Sequence, residues 1–284
     1  MHSNLTWQLR DRVLEPGRPP LVMGILNVTP DSFSDGGNHL DPERAVAHGL
    51  ELVRQGAHLL DVGGESSRPG AEPVPAEQEL ARVLPVVRGL AGRAGVPISV
   101  DTTKAAVADA ALAAGAQLVN DITALQGDPD LAEVVRRHGA GLILMHMQGT
   151  PQTMQADPRY GDVVGEVAEF LQARLQAAVD LGIAGTRVVL DPGIGFGKTP
   201  EHNLRLVARL DELGRRLGRP ICLGVSRKGF LGRLLGRGVE ERLAGSLAVA
   251  CHALARGGAQ VLRVHDVAAT WDAVRVFEAL AAAS

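Results

Sequence analysis

The chain has 284 residues, of which 45% are hydrophobic, 21% are charged and only 3% are aromatic. This composition is ordinary for a globular protein, and the length lies within the range of a (β/α)8 barrel. A formal net charge of -3 provides no attraction to nucleic acid or to an anionic membrane. The two cysteines, Cys222 and Cys251, indicate no disulfide framework and favour a reducing compartment. Because no apolar run approaches membrane-spanning or signal-peptide length, we expect a cytoplasmic enzyme.

The first part of the chain differs from the rest. Residues 1–20 are polar and end in two prolines. Trp7, Leu9 and Val13 alternate loosely within this segment, which predicts a short hairpin that closes the amino-terminal end of the main domain. We therefore divide the chain into an N-terminal extension, residues 1–20, and a single domain, residues 21–284.

Short apolar runs rich in valine, isoleucine and leucine recur through that domain and predict buried parallel strands. Helical segments lie between these runs. Leucines recur every three or four residues between 206 and 217, which predicts one amphipathic helix. Pro85 falls inside another helical segment, where we expect a kink or a break. The predicted strands are 21–28, 58–62, 97–101, 118–122, 141–147, 187–191, 221–226 and 261–265.

Polar residues stand at the carboxyl end of nearly every predicted strand. Eight strand–helix units fit either a closed barrel or an open doubly wound sheet. The first strand is not followed by a G-x-G-x-x-G loop, which disfavours the dinucleotide-binding open sheet. Only a barrel brings all eight strand ends to one face, so we predict an α/β fold of the (β/α)8 TIM-barrel type. These strand-end residues are Asn27, Asp61, Asp101, Asn120, Asp121, His146, Asp191, Ser226, Arg263 and His265.

Two aspartates, Asp101 and Asp191, each end an apolar strand. A strand-end aspartate often caps the next helix, and this structural role is the alternative for either residue alone. Together with Asn120 they form a convergent set of acceptors suited to a flat heterocycle rich in N–H donors. We expect Asp61 and Glu65 to be structural, bonded to the loop around two neighbouring glycines.

Arginine and histidine end the last predicted strand. Strand alternation places Arg263 and His265 on the same side, and the loops after strands seven and eight of such barrels commonly bind phosphate. Arginine offers an oxyanion two parallel hydrogen bonds, and histidine adds a donor. The alternative is an ion pair of Arg263 with Asp266 or Glu278. Arg227 is less informative and is interpreted as a surface charge.

Several long loops and absent motifs narrow the chemistry. The loops at 29–37 and 63–70 mix glycines with polar side chains and are typical of lids that close on a substrate. The glycine-rich segment 191–198 lacks the spacing of a phosphate-binding P-loop. The nine histidines show no metal-ligand spacing and no C-x-x-C is present, so a zinc site is not predicted. Lys228 as a Schiff-base lysine remains an alternative, although it lies in a polar loop.

Eight short motifs follow one another along the chain, at 23–37, 61–70, 99–102, 119–122, 144–149, 191–197, 226–228 and 263–266. In combination and order they resemble those of the bacterial dihydropteroate synthases, the folate-pathway enzymes that sulfonamide drugs block. The resemblance covers residues 21–280 and implies a (β/α)8 barrel. It implies a transferase in which a pterin-methyl diphosphate loses diphosphate to the amino group of 4-aminobenzoate, giving 7,8-dihydropteroate. It also suggests a homodimer formed through the later barrel helices.

The resemblance implies roles for individual residues. Those expected to act in catalysis are Asp101, Lys228, Arg263 and His265. The pterin would be held by Asp101, Asn120, Asp191 and Lys228, in a pocket lined by Met145 and Phe196. The diphosphate would be held by Ser67, Arg263 and His265, and Mg2+ would be bound by Asn27 together with the diphosphate. The residues that would shape the 4-aminobenzoate site are Phe33, Arg68 and Pro69.

The expected reaction follows from the two substrates. An aniline is a weak nucleophile that needs no strong base, so the barrier lies in departure of the leaving group. We hypothesise a dissociative path in which Asp101 stabilises a cationic pterin while Arg263, His265 and Mg2+ stabilise the departing diphosphate. No covalent enzyme intermediate is needed, which agrees with the missing nucleophile motifs.

Two positions depart from the family pattern. Ser67 stands where threonine is usual, which keeps the hydroxyl and loses a methyl group. Gly229 stands where several members have serine, so a hydroxyl for the carboxylate of 4-aminobenzoate is missing. We expect backbone N–H groups at the start of the next helix to substitute for it.

Two other functions remain to be distinguished. One is the methyltetrahydrofolate-binding barrel of a corrinoid methyltransferase, against which the complete loop at 29–37 and the motif at 226–228 argue. The other is a non-catalytic pterin- or folate-binding module. Such a module would be expected to lack Asn27, Arg263 or His265, and this sequence has all three.

Overall fold

The computed structural model describes residues 5–17, 19–29 and 41–283, and eight parallel strands stand at its centre. Two short strands, β1 (Trp7–Gln8) and β2 (Val13–Leu14), come first in the chain. The eight that follow are β3 (Leu21–Asn27), β4 (Leu59–Gly63), β5 (Ile98–Asp101), β6 (Leu118–Asp121), β7 (Gly141–Met145), β8 (Val188–Asp191), β9 (Cys222–Leu223) and β10 (Val261–Val264).

These eight strands form a nearly closed barrel. Hydrogen bonds connect them in the order β8, β7, β6, β5, β4, β3, β10, β9, all in parallel. The two ends of this sheet meet where Leu190 pairs with Ile221, and Leu190 N donates to the carbonyl of Pro220 at 3.0 Å. The predicted (β/α)8 barrel is therefore confirmed.

Helices surround the barrel and bury the outward-facing strand residues, such as Leu60 and Val62 of β4, against their own apolar faces. None of the helices in the described part of the chain is long and apolar enough to cross a membrane. The described helices are α1 (Pro42–Arg54), α2 (Ala76–Leu90), α3 (Ala105–Ala113), α4 (Leu131–His138), α5 (Val163–Asp180), α6 (Pro200–Ala208), α7 (Leu210–Leu217), α8 (Gly229–Leu235), α9 (Leu243–Ala255) and α10 (Val267–Ala282).

Two helix predictions need correction. The leucines between 206 and 217 are buried as expected, but they belong to two helices, because the backbone at Arg209 has φ -116° and leaves the helical region. Helix α2 runs through Pro85 without a break. Pro85 is exposed, so the carbonyl that loses its hydrogen bond can turn towards water, which lowers the cost of proline at this position.

The predicted hairpin is present and closes the amino-terminal end of the barrel. β1 and β2 pair antiparallel, and the Trp7 indole N–H donates to the carbonyl of Arg187 at 2.9 Å. Trp7 and Leu9 are buried against the inward-facing side chains of the barrel strands. Cys222 belongs to the same cluster and is buried, as expected of a small hydrophobic residue. The domain boundary after residue 20 stays a prediction.

Candidate active site

A network of charged and polar side chains lies at the carboxyl end of the barrel, with Arg263 at its centre. Arg263 Nε donates to Asp61 Oδ2 at 2.6 Å, and its Nη2 donates to Asp101 Oδ2 at 2.7 Å. Asn120 Nδ2 donates to the same oxygen of Asp61 at 3.0 Å. Alternation along the strands explains this convergence, since every second residue points into the barrel. The structure thus brings together three of the residues predicted to hold substrate.

The partners of Arg263 rule out one alternative and correct one expectation. Arg263 pairs with neither Asp266 nor Glu278, the ion pairs considered for it. Asp61 is not bonded to its own loop but serves as the acceptor that orients Arg263 and Asn120. The inward position of Asp61 could have been predicted from the sequence. The alternation that turns Leu59 into the barrel also turns Asp61 inward, where a buried carboxylate requires a cation as its partner.

Burial changes the acid–base properties of this network. Burial raises the pKa of Asp101 to about 7, although the positive charge of Arg263 opposes the change. Arg263 is desolvated as well, but Asp61 and Asp101 more than offset this and raise the pKa of its guanidinium. Arg263 is therefore a permanent cation, whereas Asp101 can be either ionised or protonated near neutral pH.

A second group of predicted residues surrounds a small apolar cluster beside this network. Met145 and Phe196 pack in one buried cluster, and Lys228 Nζ lies 4.1 Å from the centre of the Phe196 ring. Asp191 Oδ1 accepts a hydrogen bond from Gly193 N at 2.7 Å. Burial raises the pKa of Asp191 and lowers that of Lys228 to about 8, and the attraction between the two charges opposes both shifts.

His265 and its neighbours form the last part of the site. Its Nδ1 lies 3.1 Å from the hydroxyl oxygen of Ser226, which also accepts from the backbone N–H of His265. Burial and then the charge of Arg263 lower the pKa of His265 to about 4, so the ring is neutral at pH 7. Arg227 is not a solitary surface charge, since its guanidinium donates to both oxygens of Asp266, at 3.0 and 2.6 Å.

A buried pair that we did not predict, Lys198 and His146, is bonded to the loop that carries Phe196. Lys198 is 1% exposed, and its ammonium group donates to the carbonyls of Gly193 and Phe196 at 3.0 and 2.9 Å. It also lies 2.8 Å from Nδ1 of His146. Burial lowers the pKa of Lys198 well below its usual value. Nothing in the sequence distinguishes Lys198 from a surface lysine, except its place at the end of a glycine-rich loop.

The loop residues implied by the resemblance are less closely gathered. Ser67 is half-buried and lines a small cavity with Asp101. Arg68 and Pro69 are exposed. Asn27 lies at the end of β3, opposite Gly63 of β4 in the register. Phe33 lies outside the described residues, as does most of the loop at 29–37.

Comparison with known proteins agrees with this geometry. Residues 23–265 match the family model described as pterin binding enzyme. The dihydropteroate synthase of Synechocystis sp. is 46% identical over 265 residues, which cover 93% of this chain and 91% of that protein. The structure of Xanthomonas albilineans dihydropteroate synthase with 4-aminobenzoic acid is 49% identical, with a TM-score of 0.91 and 99% coverage of both chains. The same enzyme in complex with 7,8-dihydropteroate is 47% identical, with a TM-score of 0.87 and coverage of 98% and 99%.

A pterin-binding TIM barrel is thus the class that the fold and the site define. Within that class, the chain belongs to the dihydropteroate synthase family. Its enzyme class is therefore that of a transferase, as the motifs implied. The resemblance stated from the sequence is confirmed over nearly the whole chain.

Proposed function

We propose that this chain condenses (7,8-dihydropterin-6-yl)methyl diphosphate with 4-aminobenzoate, and that it releases 7,8-dihydropteroate and diphosphate. The observation that carries this proposal is the position of Arg263, which joins Asp61 to Asp101 inside the carboxyl end of the barrel. This places a permanent cation beside a carboxyl group in a buried site. Such a pair suits a substrate with an N–H-rich ring at one end and an anion at the other.

We assign the pterin ring to a pocket between that pair and the cluster of Met145 and Phe196. Asp101, Asn120 and Asp191 supply acceptors and an amide for the edge of the ring, while Met145 and Phe196 pack on its faces. Lys228 lies over Phe196 and reaches the same pocket. Buried carboxyl groups suit a ring that carries several N–H donors, because each unpaired polar atom in the pocket would be costly.

The diphosphate is assigned to the basic side of the site. Among the described residues, Nη1 of Arg263 has no acceptor, since Nε and Nη2 are the atoms bonded to the two aspartates. This nitrogen can donate to a phosphate oxygen without breaking either ion pair. His265 is neutral and adds an N–H, and Ser67 adds a hydroxyl from the neighbouring loop.

Magnesium is assigned to the same end of the substrate. No three His, Cys, Asp or Glu side chains are grouped as metal ligands within residues 5–17, 19–29 and 41–283. The side-chain amide oxygen of Asn27 is a hard donor, and Mg2+ commonly combines one or two protein oxygens with substrate phosphates and water. Asn27 would therefore hold the ion against the diphosphate. When bound, it would offset negative charge on the leaving group.

The reaction then proceeds by departure of diphosphate before attack by the amine. As the bond from the methylene carbon to oxygen breaks, its electron pair goes to the diphosphate. Arg263 stabilises that growing negative charge, and ionised Asp101 stabilises the cationic pterin left behind. The amino group of 4-aminobenzoate attacks the methylene carbon and then loses a proton to water. Arg68, Pro69 and Phe33 are assigned to the binding of this second substrate.

We also propose that the active enzyme is a homodimer joined through its later helices. Several large apolar side chains in this part of the barrel are exposed. They belong to α8, to the segment between α8 and α9, to the start of α9 and to α10, so a second copy of the chain could cover them together. The residues are Leu234, Val239, Leu243 and Val276. Sedimentation of the purified chain as a monomer at micromolar concentration would exclude this assembly. The cytoplasmic location stays a prediction.

The experiment that tests the proposed function mixes the purified chain with the pterin diphosphate, Mg2+ and 4-aminobenzoate. We expect diphosphate and 7,8-dihydropteroate to appear in equal amounts, and the pteroate to require 4-aminobenzoate. Pterin binding without turnover would instead support a non-catalytic binding module. Methyl transfer from methyltetrahydrofolate to a corrinoid would support the methyltransferase alternative.

A further inference from the structure

Three charged side chains from three different elements meet beside the active site. Lys104, which precedes α3, donates from Nζ to Glu79 Oε2 at 2.6 Å and also to Glu65 Oε2. Glu79 comes from the first turn of α2, and Glu65 from the loop that follows β4. We refer to Glu65, Glu79 and Lys104 as the Lys104 clamp.

The burial of Glu79 indicates that the clamp has a role other than filling space. Glu79 is fully buried, and its Oε1 has no hydrogen-bond partner among the described residues. The other inward positions of α2, such as Val83 and Leu90, are apolar. Replacing a buried ion pair with apolar side chains of similar size is often neutral or stabilising. A carboxyl group at this position therefore points to a requirement of function rather than of packing.

The clamp fastens the base of the loop between β4 and α2. Glu65 Oε2 accepts from Val74 N at 3.1 Å as well as from Lys104, so one carboxylate oxygen joins both ends of residues 65–74. Arg82 of α2 donates to the carbonyl of Gly64 at 2.7 Å. The base of the loop is thus bonded to α2 and to the segment before α3.

The tip of the same loop is bonded to the other side of the site. Gly70 N donates to the carbonyl of Pro151 at 3.0 Å, and Gln152 donates to Glu72 at 3.2 Å. Both partners lie in the connection between β7 and α5. Ser67 and Arg68 therefore stand between a charged base and a weakly bonded tip, so the base must supply most of the order of the loop.

The clamp is continuous with the site itself. Ser67, Asp101, Glu79 and Lys104 line the same small cavity. Lys104 follows Asp101 by three residues, and its backbone N–H donates to Thr102 at 3.2 Å. One short segment therefore carries both Asp101, which is proposed to bind the pterin, and Lys104, which anchors the neighbouring loop. That loop carries Ser67 and Arg68, which are proposed to bind the diphosphate and 4-aminobenzoate.

We propose that Glu65, Glu79 and Lys104 are positioning residues that hold the loop at 64–75 with Ser67 and Arg68 facing the substrates. This inference rests on the proposed function. The clamp touches neither substrate and acts through the loop. Its loss is expected to impair use of 4-aminobenzoate and to leave binding of the pterin, which is held by other elements, intact.

The variant Glu65→Gln tests this directly, because it keeps the size of the side chain and its acceptor oxygen and removes the charge. We expect kcat/KM for 4-aminobenzoate to fall about tenfold or more, as a loop displaced by a fraction of an ångström would cause. The affinity for the pterin diphosphate should stay within about twofold of the wild type. The matched control is Glu133→Gln, which removes an exposed partner of Arg136 on α4 and should change neither quantity.

A second pair of variants separates positioning from stability. Lys104→Met leaves the carboxyl group of Glu79 buried and unpaired, so its Tm should fall. Adding Glu79→Met removes that buried carboxyl group and should restore the Tm. The kcat/KM for 4-aminobenzoate should stay low in the double variant, because Glu65 still lacks the ammonium group of Lys104. Full recovery of kcat/KM together with the Tm would overturn the positioning role.

Hydrogen exchange gives a readout that does not depend on catalysis. The amides of Gly70 and Val74 are bonded in the wild type and should exchange faster in Glu65→Gln, while amides in the barrel strands should not change. If the wild type shows no turnover but the amides of Gly70 and Val74 exchange faster in Glu65→Gln, the proposed function is wrong and the role of the clamp in ordering the loop is supported. If wild type turns over normally and Glu65→Gln matches it in kinetics and in exchange, the clamp proposal is wrong.

Discussion

Arg263 and Asp101 lie 162 positions apart in the sequence, and a 2.7 Å hydrogen bond from Nη2 to Oδ2 joins them inside the barrel. Under the proposed function these two side chains hold opposite ends of one substrate. The bond therefore links the group that stabilises the departing anion to the group that stabilises the cation left behind. The negative charge on the diphosphate and the positive charge on the pterin grow at the same moment. Two side chains that are already held in place by each other can stabilise both charges without rearranging.

Replacing Asp101 with asparagine separates catalysis from binding. Asp101→Asn keeps the shape of the side chain and one acceptor oxygen, and it removes the charge. We expect kcat to fall by about two orders of magnitude or more, because the charge is needed most when the pterin is cationic. The dissociation constant of the pterin diphosphate should change much less. Equal losses of turnover and affinity would show that Asp101 only binds the ground state.

The activity should have a bell-shaped pH profile set by two buried groups. Asp101 must be ionised, so kcat/KM should fall as pH drops through its pKa of about 7. If Lys228 acts as an ammonium group, kcat/KM should fall again as pH rises through its pKa of about 8. Initial rates measured at constant ionic strength across this range provide the test.

Variants assign the two limbs of that profile. Asp101→Asn should remove the acid limb from whatever activity remains, and Lys228→Arg should move the alkaline limb to higher pH. His265, with a pKa of about 4, should contribute to neither limb. An acid limb that persists in Asp101→Asn would contradict the assignment.

Gly229 offers a substitution that should improve the enzyme. A Cβ at this position would meet no described atom within 4 Å, and the backbone does not adopt positive φ. Gly229→Ser would therefore supply the hydroxyl that the family resemblance implies for the carboxylate of 4-aminobenzoate. We expect KM for 4-aminobenzoate to fall about threefold, the worth of one ordinary hydrogen bond. Gly229→Ala, which adds the carbon without the hydroxyl, is the control, and an equal gain there would exclude this explanation.

Lys198 should make stability depend on pH. Because burial lowers its pKa well below 10.5, the unfolded state binds more protons than the folded state between the two pKa values. The stability contributed by Lys198 therefore rises with pH across that interval. We expect the Tm difference between wild type and Lys198→Met to change in favour of the wild type from neutral to alkaline pH. A difference that is constant with pH would contradict the lowered pKa.

The barrel and most of the site follow from the sequence for simple reasons. Continuous apolar runs predicted strands covered on both sides, and the polar strand ends indicated which face would carry the chemistry. Asp101, Asn120 and Arg263 meet because each belongs to such an end. The break at Arg209 could not be predicted in the same way, because the buried leucines continue across it and only the backbone changes.

What the sequence did not predict are contacts between distant side chains. Asp61 was expected to bond its own loop, and its partner is 202 positions away. The sequence does not distinguish Lys104 or Lys198 from surface lysines, because the pattern of neighbouring residues does not reveal which lysine the fold encloses. Such pairs depend on the register between strands that are far apart in the chain, which local periodicity does not report.

The measurement that tests the central claim most directly asks whether diphosphate leaves before the amine attacks. The substrate would carry a heavy-oxygen label in the bridge between the methylene carbon and the first phosphorus. We predict that the enzyme, with Mg2+ and without 4-aminobenzoate, moves this label into the non-bridging positions, because the cation and diphosphate form reversibly and the diphosphate can rotate before it returns. Phosphorus NMR distinguishes the two positions. A label that stays in the bridge, in enzyme that turns over normally once 4-aminobenzoate is added, would contradict the dissociative path.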